Sequence, residues 1–322
     1  MLNDKELLKI FNDYLLIQDF GKTPANTYDP IYYTLKSGGK RIRPVLCLMA
    51  TELFGETYKT SLDIACGLEI FHNFTLLHDD MMDNSDVRRG NPTVHIKWTD
   101  NIALLSGDAM SVIAYKYIAK AKYLKESLEL FSDTALKICE GQQLDMDYES
   151  MTDLNVDDYL KMINLKTAVF LAASLKLGAI TANTNQENKN NIYEFGRNLG
   201  IAFQLQDDFL DVYGDTQNFK KNLGGDIVSN KKTFLLLKAL ELAKGNELKE
   251  LKHWISLKEF DEQEKINAVK NIYDSLKIAK HSEEKNNFYM NQASQYFEKI
   301  EADKNRKDIL MNYTKSLEKR KF

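Results

Sequence analysis

The chain has few residues that interrupt helices and few patterns that form strands. Only four of its 322 residues are proline, and the last of them is Pro92. Because helix interiors exclude proline, the rest of the chain favours long helices. Alternating apolar and polar runs bounded by turn dipeptides are also missing, which leaves no convincing strand. We therefore predict an almost entirely α-helical protein.

Other scarce features each exclude a class of protein. Cys47, Cys66 and Cys139 have no paired spacing and lie in apolar helical patterns, so we expect buried, reduced thiols. The net charge of −4 offers no polycationic surface for a nucleic acid. The N-terminus has no basic region followed by an apolar run, and no uncharged apolar run approaches the ~18 residues of a membrane span. We expect a cytoplasmic protein without stable membrane insertion.

Apolar residues recur at three- and four-residue spacing along most of the chain, which is typical of helices with one buried face. The predicted helices cover about 4–18, 30–37, 44–53, 60–83, 101–121, 125–149, 155–180, 188–214 and 231–244, with weaker ones to the C-terminus. The polar stretch 181–191 is predicted to be a loop, and it is too short to mark a domain boundary.

The most informative stretch is the end of helix 60–83, where three carboxylates follow an apolar run. Asp79 and Asp83 are four residues apart and project from one helix face, with Asp80 between them. Unpaired like charges on one face disfavour a helix, so this pair needs a cation. Oxygen ligands favour a hard ion such as Mg2+, which completes its shell with water and phosphate oxygens. A solvated acidic face is the alternative for one such motif taken alone.

The same pattern returns in the second half of the chain, where Asp207 and Asp211 are four apart and Asp208 lies between them. Cationic residues accompany both motifs: Lys40, Arg43, Arg88, Arg89, Lys166, Lys221 and Lys231. Carboxylates that bind a metal, with lysines and arginines around them, indicate a diphosphate site. The apolar helix before Asp79 suits an apolar tail, so we predict a ligand with an anionic head and an apolar tail.

In six ordered motifs the chain resembles the trans-isoprenyl diphosphate synthases, or polyprenyl synthetases, across nearly its whole length. The motifs are Gly38–Pro44, Asp79–Asp83 with Arg88-Arg89-Gly90, Gly141–Asp145, Lys166-Thr167, Gln204–Asp211 and Gly224–Ile227. The resemblance implies a single domain over residues 1–322 with the all-α isoprenoid synthase fold, in which antiparallel helices surround a central cavity. It also implies a homodimer that condenses isopentenyl diphosphate with allylic diphosphates.

The resemblance also implies a role for individual residues. Three Mg2+ ions per active site would be bound by Asp79, Asp83 and Asp207, with Asp80, Asp208 and Asp211 in supporting roles. The allylic diphosphate would be bound by Arg88, Lys166, Lys221 and Lys231. The diphosphate of isopentenyl diphosphate would be bound by Lys40, Arg43, His72 and Arg89. The allylic cation would be stabilised by Thr167, Gln204 and the carbonyl group of Lys166.

Two positions depart from the family pattern. Lys220 stands where the family often has glycine, and Asn222 replaces a common proline. Either Lys220 or Lys221 therefore reaches the phosphate, and the spacing from Asp211 favours Lys221.

Product length is predicted from the residues before Asp79. Phe74 and Thr75 precede it by five and four residues, about one turn along the helix, and Phe71 lies roughly one turn further. In the family, aromatics at both the four- and five-before positions accompany C15 products, whereas an aromatic at the five-before position alone accompanies C20. We therefore predict geranylgeranyl diphosphate, with farnesyl diphosphate as the second choice. Longer C30–C50 products are disfavoured because Phe71 and Phe74 are both bulky.

Three rival functions remain in view at this point. A class I terpene cyclase also uses an aspartate motif and an apolar pocket, but it has no need of Lys40 and Arg43, and its second metal motif differs. A non-catalytic subunit of a heteromeric synthase is expected to lose an aspartate motif, and both are intact. A metal phosphohydrolase is suggested by His72 and His78 near Asp79, but it leaves the second motif unexplained.

Overall fold

The structure, a computed structural model, describes residues 1–214 and 223–318 of the chain. The chain divides into two compact units. The first comprises Met1–Ser132, Ala173–Asn190 and Glu301–Tyr313, and the second comprises Asp133–Ala172, Asn191–Ile300 and Thr314–Phe322. That the whole chain forms one domain stays a prediction.

Helices provide nearly all of the regular structure in the described residues, which confirms the all-α prediction. They are α1 (Asp4–Leu16), α2 (Ala25–Lys36), α3 (Ile42–Leu53), α4 (Leu62–Met82), α5 (Val94–Lys97), α6 (Asp100–Ile118), α7 (Leu124–Ser150), α8 (Val156–Ile163), α9 (Val169–Thr181), α10 (Gln186–Tyr213), α11 (Gly225–Val228), α12 (Phe234–Leu242), α13 (Gly245–Ser256), α14 (Glu262–Ser275), α15 (Ile278–Glu298) and α16 (Lys304–Glu318). A 3-10 turn, Tyr58–Ser61, precedes α4. A short antiparallel ladder, which the sequence did not predict, pairs β1 (Val87–Arg88) with β2 (Asn91–Pro92).

Helix α2 begins at Ala25 rather than at residue 30, so Pro30 lies inside it. Proline has no N–H, and the carbonyl group of Asn26 therefore loses its helical donor. The hydroxyl group of Ser106 lies 3.4 Å from that carbonyl oxygen and donates to it. This substitute donor explains why the helix continues through a residue that the sequence suggested as its start.

The predicted helix 155–180 is interrupted. Between α8 and α9 the chain forms a π-helical segment, Asn164–Ala168, which contains Lys166 and Thr167. The local sequence is apolar and has no proline or glycine to announce the change. Widened turns of this kind often occur at functional sites, so the interruption directs attention to these two residues.

In the first unit, α4 packs against α1, α2, α3 and α6. Its buried residues lie on several sides, which is the pattern of a central helix rather than a surface one. Gly107 of α6 lies close to the end of α4, where a Cβ atom in its place would lie 2.2 Å from Nε2 of His78. The imidazole of His78, one residue before Asp79, therefore occupies the space beside Gly107.

Two apolar clusters lie among the described residues of the second unit. One surrounds Tyr159 of α8 and Leu205 of α10, and the other surrounds Val212 of α10 and Leu235 of α12. The C-terminal half of α10 contributes to both clusters, so packing on two sides sets the orientation of the aspartates that it carries.

The positions of the three cysteines test the expectation that their thiols are buried. Cys47 and Cys66 are buried as expected, but Cys139 is exposed, so the prediction of a buried thiol was wrong there. Cys139 follows the buried Ile138 on α7 and points outward, because adjacent helical residues are about 100° apart.

The run Val156–Thr181 is long and apolar enough to cross a membrane by length and composition. However, 72% of its apolar window is buried within the protein, so it has the character of a core helix.

Candidate active site

Helix α4 ends at the carboxylates of the first motif. Asp79 is half-buried and Asp83 is exposed, and the N–H group of Asp83 donates to the carbonyl oxygen of Asp79 at 2.8 Å. The C-terminal end of a helix carries partial negative charge, so carboxylates there are unfavourable without a cation. The first motif is therefore placed where a bound cation stabilises it.

Asp80 is buried and differs from its two neighbours in the motif. Its Oδ1 atom accepts a hydrogen bond from Nε of Arg88 at 2.7 Å. Burial raises the pKa of Asp80, and the positive charge of Arg88 opposes that rise. In this structure Asp80 orients Arg88, while its supporting role toward Mg2+ stays a prediction.

The hairpin of β1 and β2 brings Arg88 and Arg89 back to the helices. Arg89 and Gly90 form its turn with φ angles of 54° and 76°. The hydroxyl group of Tyr33 donates to the carbonyl oxygen of Pro92 at 2.8 Å and ties the hairpin to α2. Arg89 then donates to the carbonyl oxygen of Gly38, whereas Arg88 pairs with Asp80. The two adjacent arginines thus contact different segments: Arg88 contacts the end of α4, and Arg89 contacts the loop before α3.

A basic pocket of about 440 Å³ lies beside the start of α3. The four residues predicted to bind the diphosphate of isopentenyl diphosphate all line it: Lys40, Arg43, His72 and Arg89. They come from three separate stretches of the chain: the loop before α3 with its first turn, the middle of α4, and the hairpin. The structure brings together what the sequence could only group by residue type.

The electrostatics of this pocket favour an anion. The Nη1 atom of Arg43 lies 3.1 Å from the Nε2 atom of His72. Burial, and next to it the charge of Arg43, lowers the pKa of His72 well below its usual range, so the imidazole is neutral and accepts from the guanidinium. Burial lowers the pKa of Arg43 to about 10, which keeps it protonated at neutral pH. The pocket combines fixed positive charge with a neutral hydrogen-bonding ring.

The residues predicted to set product length belong to an aromatic column on α4. The ring centroid of Phe74 lies 4.8 Å from that of His78 and 5.2 Å from that of Phe71. Phe71 is buried and packs edge-on against Phe131, at 5.1 Å. Thr75 is half-buried and donates its hydroxyl group to the carbonyl oxygen three residues earlier, at 2.8 Å. Phe74 is the half-buried face of this column, and Phe71 lies behind it.

In the second unit, the middle carboxylate of the second motif is also engaged. Asp208 is buried and accepts from the hydroxyl group of Tyr159 at 2.7 Å and from Nε2 of Gln204 at 2.8 Å. Burial raises the pKa of Asp208 to about 6, and the charge of Lys231 opposes that rise. Asp207, by contrast, is half-buried. Both motifs therefore share one design, with a buried middle carboxylate and more exposed neighbours.

The last carboxylate of the second motif closes the turn that follows it. Asp211 is half-buried, and its Oδ2 atom accepts from the backbone N–H of Asp226 at 2.9 Å. The carboxylate of Asp226 lies 3.8 Å from Nζ of Lys231, which places that lysine beside the second motif. Lys220 and Lys221, between which the sequence could not decide, lie outside the described residues.

The π-helical segment places Lys166 and Thr167 in the same unit as the second motif. Nζ of Lys166 donates to Oδ2 of Asp145 at 2.6 Å, and the hydroxyl group of Thr167 lies 3.4 Å from Oε1 of Gln204. Gly141 makes this approach possible, because a Cβ atom there would lie 2.3 Å from the backbone nitrogen of Lys166. The amide of Gln204 donates to Asp208, so its oxygen is turned toward Thr167.

Four further residues had no predicted role: Asp145 and Tyr159, which pair with Lys166 and Asp208, and Arg41 and Glu69, which form a buried ion pair with each other. The sequence contained a signal for two of them. Glu69 is a lone carboxylate inside an apolar helix, and such a group is buried only when it is paired. Asp145 ends the Gly141 motif, whose chemistry was left unassigned. Arg41 lies in the Gly38–Pro44 motif, but neither it nor Tyr159 gave any sign of its partner, because the partners are distant in the sequence.

The carboxylates suit Mg2+ by the chemistry of their donors. Among residues 1–214 and 223–318, no three histidine, cysteine, aspartate or glutamate side chains converge into a ready-made metal cage. Mg2+ usually binds through one or two carboxylates and substrate phosphates rather than through an all-protein cage. The partly exposed aspartates Asp79, Asp207 and Asp211 are suited to this mode of Mg2+ binding.

Comparison with known proteins decides the family. The family model described as polyprenyl synthetase matches residues 24–273. This chain belongs to the polyprenyl synthetase family. The resemblance read from the six motifs is thereby confirmed, and the chain is a prenyltransferase.

Related polyprenyl synthetases match over most of their length. The short chain isoprenyl diphosphate synthase of Methanocaldococcus jannaschii is 35% identical over 287 residues, which cover 87% of this chain and 86% of that protein. The geranylfarnesyl diphosphate synthase of Aeropyrum pernix is 33% identical and covers 92% and 95%. A crystal structure of a geranylgeranyl pyrophosphate synthase superposes with a TM-score of 0.95 at 41% identity, covering all of both chains. The fold is thus the isoprenoid synthase fold.

Polyprenyl synthetases act on isopentenyl and allylic diphosphates and generally use Mg2+. The basic pocket, the two aspartate motifs and the aromatic column are the features that such substrates require. Their anionic heads need metal and cationic side chains, and their apolar tails need a wall without charge.

Proposed function

We propose that this polyprenyl synthetase condenses isopentenyl diphosphate with allylic diphosphates and releases geranylgeranyl diphosphate. The observation that carries the proposal is the arrangement of α4. One helix provides His72 to the basic pocket, Phe74 to the aromatic column, and Asp79 and Asp83 to the metal-binding end. A substrate with a diphosphate head and a prenyl tail matches that order of chemistry along one helix.

The aspartates of both motifs would hold Mg2+, with three ions per active site. Asp79, Asp83 and Asp207 are the direct ligands in this proposal, and Asp80, Asp208 and Asp211 support them. Mg2+ supplies charge neutralisation to the departing diphosphate when it is bound. The allylic diphosphate is gripped by Arg88, Lys166, Lys221 and Lys231, and the second diphosphate is bound by Lys40, Arg43, His72 and Arg89.

The reaction needs no protein nucleophile. The allylic carbon–oxygen bond breaks, and the diphosphate leaves with the electron pair. The double bond of isopentenyl diphosphate then attacks the allylic cation, and the product loses a proton to the released diphosphate. In this proposal the oxygen of Gln204, the hydroxyl oxygen of Thr167 and the carbonyl oxygen of Lys166 would direct negative dipoles at the cation.

The C20 product rests on the aromatic column. Phe74 is half-buried and held between His78 and Phe71, so it forms a fixed wall rather than a movable side chain. Thr75 is too small to shorten the space one residue further along, which favours C20 over C15. Relatives that are 36% and 35% identical are named geranylgeranyl and geranylfarnesyl diphosphate synthase, so overall identity does not choose between C20 and C25.

A cytoplasmic homodimer completes the proposal. Helix α6 exposes Leu105 and Val112, seven residues apart and therefore on one face, with 61% and 62% of their surface accessible. Apolar residues aligned on one helix face favour a protein contact, and a second copy of the chain supplies a matching surface.

The test is incubation of the purified protein with Mg2+, isopentenyl diphosphate and labelled dimethylallyl, geranyl or farnesyl diphosphate, followed by sizing of the products. We expect C20 chains from every primer. A terpene cyclase would release hydrocarbons without using isopentenyl diphosphate, and a non-catalytic subunit would give no product alone. Either of these results would overturn the proposal.

Substitution of one aspartate in each motif tests the proposed metal-binding role. Asp79→Ala and Asp207→Ala should each lower turnover by at least about 10²- to 10³-fold, because charge stabilisation of the leaving group is lost. Their circular dichroism should stay that of the parent protein, since both side chains are partly exposed. Retained turnover in a natively folded variant would refute the metal-binding role.

A further inference from the structure

A buried ion pair lies beneath the basic pocket. Arg41 stands in the loop between Lys40 and Ile42, yet its side chain is only 4% exposed. Its Nη1 atom lies 2.5 Å from Oε1 of Glu69 on α4, whose side chain is 2% exposed. Arg41 therefore points inward, while Lys40 beside it is exposed.

The same two residues tie three helices together. Nη2 of Arg41 donates to the carbonyl oxygen of Leu35 near the end of α2, at 2.5 Å. Arg41 also precedes α3 in the left-handed backbone region, with φ of 50°. Glu69 accepts a second hydrogen bond from Nδ2 of Asn73 on α4, at 2.8 Å. The loop of residues 37–41 is thus anchored to α4 by one guanidinium group.

Stability alone does not account for this pair. Removing two charges from water costs more than their attraction returns unless the geometry is good and the remaining polar atoms are satisfied. In the described part of the chain, Nε of Arg41, Oε2 of Glu69 and Oδ1 of Asn73 are buried without a hydrogen-bond partner. An arrangement with unsatisfied atoms is expected where a function requires a particular position.

Glu69 is also the carboxylate that the pocket's arginines face. Its negative charge raises the pKa of both Arg43 and Arg89, against the lowering effect of their burial. It lines the pocket three residues before His72 on the same helix. The pocket thus has a buried counter-charge beneath the groups that would bind a diphosphate.

We propose that Arg41 and Glu69 are positioning residues, which hold Lys40, Arg43 and Arg89 in the geometry that binds the diphosphate of isopentenyl diphosphate. They act through these groups, because their own side chains are only 4% and 2% exposed. This inference rests on the proposed function, because it assumes that the basic pocket binds the second substrate.

The test uses three variants and one control. Glu69→Gln keeps the shape and removes the charge, and Arg41→Met removes the cation. The double variant Arg41→Met with Glu69→Leu removes both charges at once, which spares the fold an unpaired buried charge. The control is Lys189→Met, which breaks another ion pair of the first unit, away from the pocket residues. Its lysine side chain is 9% exposed and lies 2.8 Å from Glu126, whose side chain is 39% exposed.

Three measurements separate positioning from stability. They are the thermal midpoint, the KM values for both substrates with kcat, and binding of isopentenyl diphosphate without Mg2+ by calorimetry. We expect each pocket variant to raise KM for isopentenyl diphosphate about tenfold or more, with KM for the allylic substrate unchanged within about twofold. The double variant should recover thermal stability but keep the raised KM. Lys189→Met should lose stability and keep both KM values.

A folded double variant with the parent's KM and calorimetric affinity for isopentenyl diphosphate would overturn the inference. The pair would then serve the fold alone. Equal rises in both KM values would also overturn it, since a general distortion affects both substrates. Absence of condensation by the parent protein would instead reject the proposed function, and calorimetric binding would still compare the parent with its variants.

Discussion

Phe74 is the single residue on which the product length depends most directly. Phe74→Ala opens the half-buried face of the aromatic column, so we expect products longer than C20, with C25 first. The measurement is the chain-length distribution of dephosphorylated products at fixed substrate ratio. An unchanged distribution would remove Phe74 as the wall.

Phe71 provides the matched comparison. It is 2% exposed and lies behind Phe74, so Phe71→Ala alone should leave the C20 product in place while costing about 3–5 kcal/mol of stability. The double substitution should lengthen the product beyond that of Phe74→Ala. Lengthening by Phe71→Ala alone would place the floor of the pocket deeper than we propose.

Asp208 gives a pH dependence whose sign can be worked out. Its folded pKa of about 6 lies above the ordinary 3.8, so the folded state binds this proton more tightly than the unfolded state. The stabilisation is present below pH 3.8 and is lost as the pH rises through about 6. Without Mg2+, this group should lower the free energy of unfolding by about 2 kcal/mol between pH 4 and pH 7.

Asp208→Asn isolates this effect from other titrating groups. Asparagine keeps an oxygen that accepts from Gln204, and its amide nitrogen can donate to the hydroxyl oxygen of Tyr159, but it carries no charge. The difference in unfolding free energy between parent and variant, measured by denaturant titration, should grow with pH in favour of the variant. A difference that does not change with pH would contradict the assigned burial effect.

At the scale of single residues, the sequence predicted candidate site residues but not how they are paired. Four-residue spacing correctly placed Asp79 and Asp83 at one end of a helix. It said nothing of Asp80 turning into the protein, because the partner Arg88 arrives through a hairpin turn that depends on a positive φ at Arg89. Local periodicity describes one helix at a time, whereas such pairs depend on where other segments pack.

Among the elements, the π-helical segment depends on a close backbone contact with the neighbouring helix α7 at Gly141. Gly141→Ala puts a Cβ atom 2.3 Å from the backbone nitrogen of Lys166, and backbone cannot turn aside as a side chain can. We expect a loss of about 1–3 kcal/mol from overpacking, and lower kcat as Lys166 and Thr167 shift. Thermal unfolding and steady-state kinetics measure the two effects.

Gly225 offers the control for that substitution. It lies at the start of α11, and a Cβ atom there would meet Oδ1 of Asp211 at an ordinary 3.6 Å. Gly225→Ala should therefore leave the thermal midpoint nearly unchanged. If Gly141→Ala is equally harmless, α7 does not hold the π-helical segment in place.

Element boundaries show what the sequence could and could not specify. Capping boxes at Asn3 with Glu6 and at Asn155 with Asp158 support the predicted starts of α1 and α8 within about one residue. The start of α2 was misplaced, because Pro30 looked like a first turn and its compensating donor, Ser106, lies on another helix. The interruption at Asn164–Ala168 was missed because close packing, not local propensity, widens that turn.

For the whole molecule, the exposed face of α6 makes the homodimer testable. Leu105→Asp with Val112→Asp should convert a dimer to a monomer, because charge at an apolar contact opposes association. Sedimentation or light scattering measures the mass. Ile17→Asp, at a 79% exposed residue outside that face, should leave the assembly unchanged. A parent protein that is already monomeric would refute the dimer.

The order of the motifs predicted the family, because six short patterns in sequence are specific even when each alone is weak. The composition of the two compact units was not predictable in this way. Residues 301–313 join the first unit, where the backbone N–H of Glu301 donates to Asn188 at 2.9 Å. Contacts across 113 residues leave no local trace in one sequence.

The position of Cys139 has a practical consequence for spectroscopy. Of the three thiols, Cys47 and Cys66 are buried and Cys139 alone is exposed, so a maleimide dye would attach at one site without engineering. Partial burial raises the pKa of the Cys139 thiol. Because the thiolate is the reactive form, maleimide labelling proceeds best at mildly alkaline pH. The dye would stand on α7 two residues before Gly141, where its fluorescence reports movement of the helix that abuts the π-helical segment.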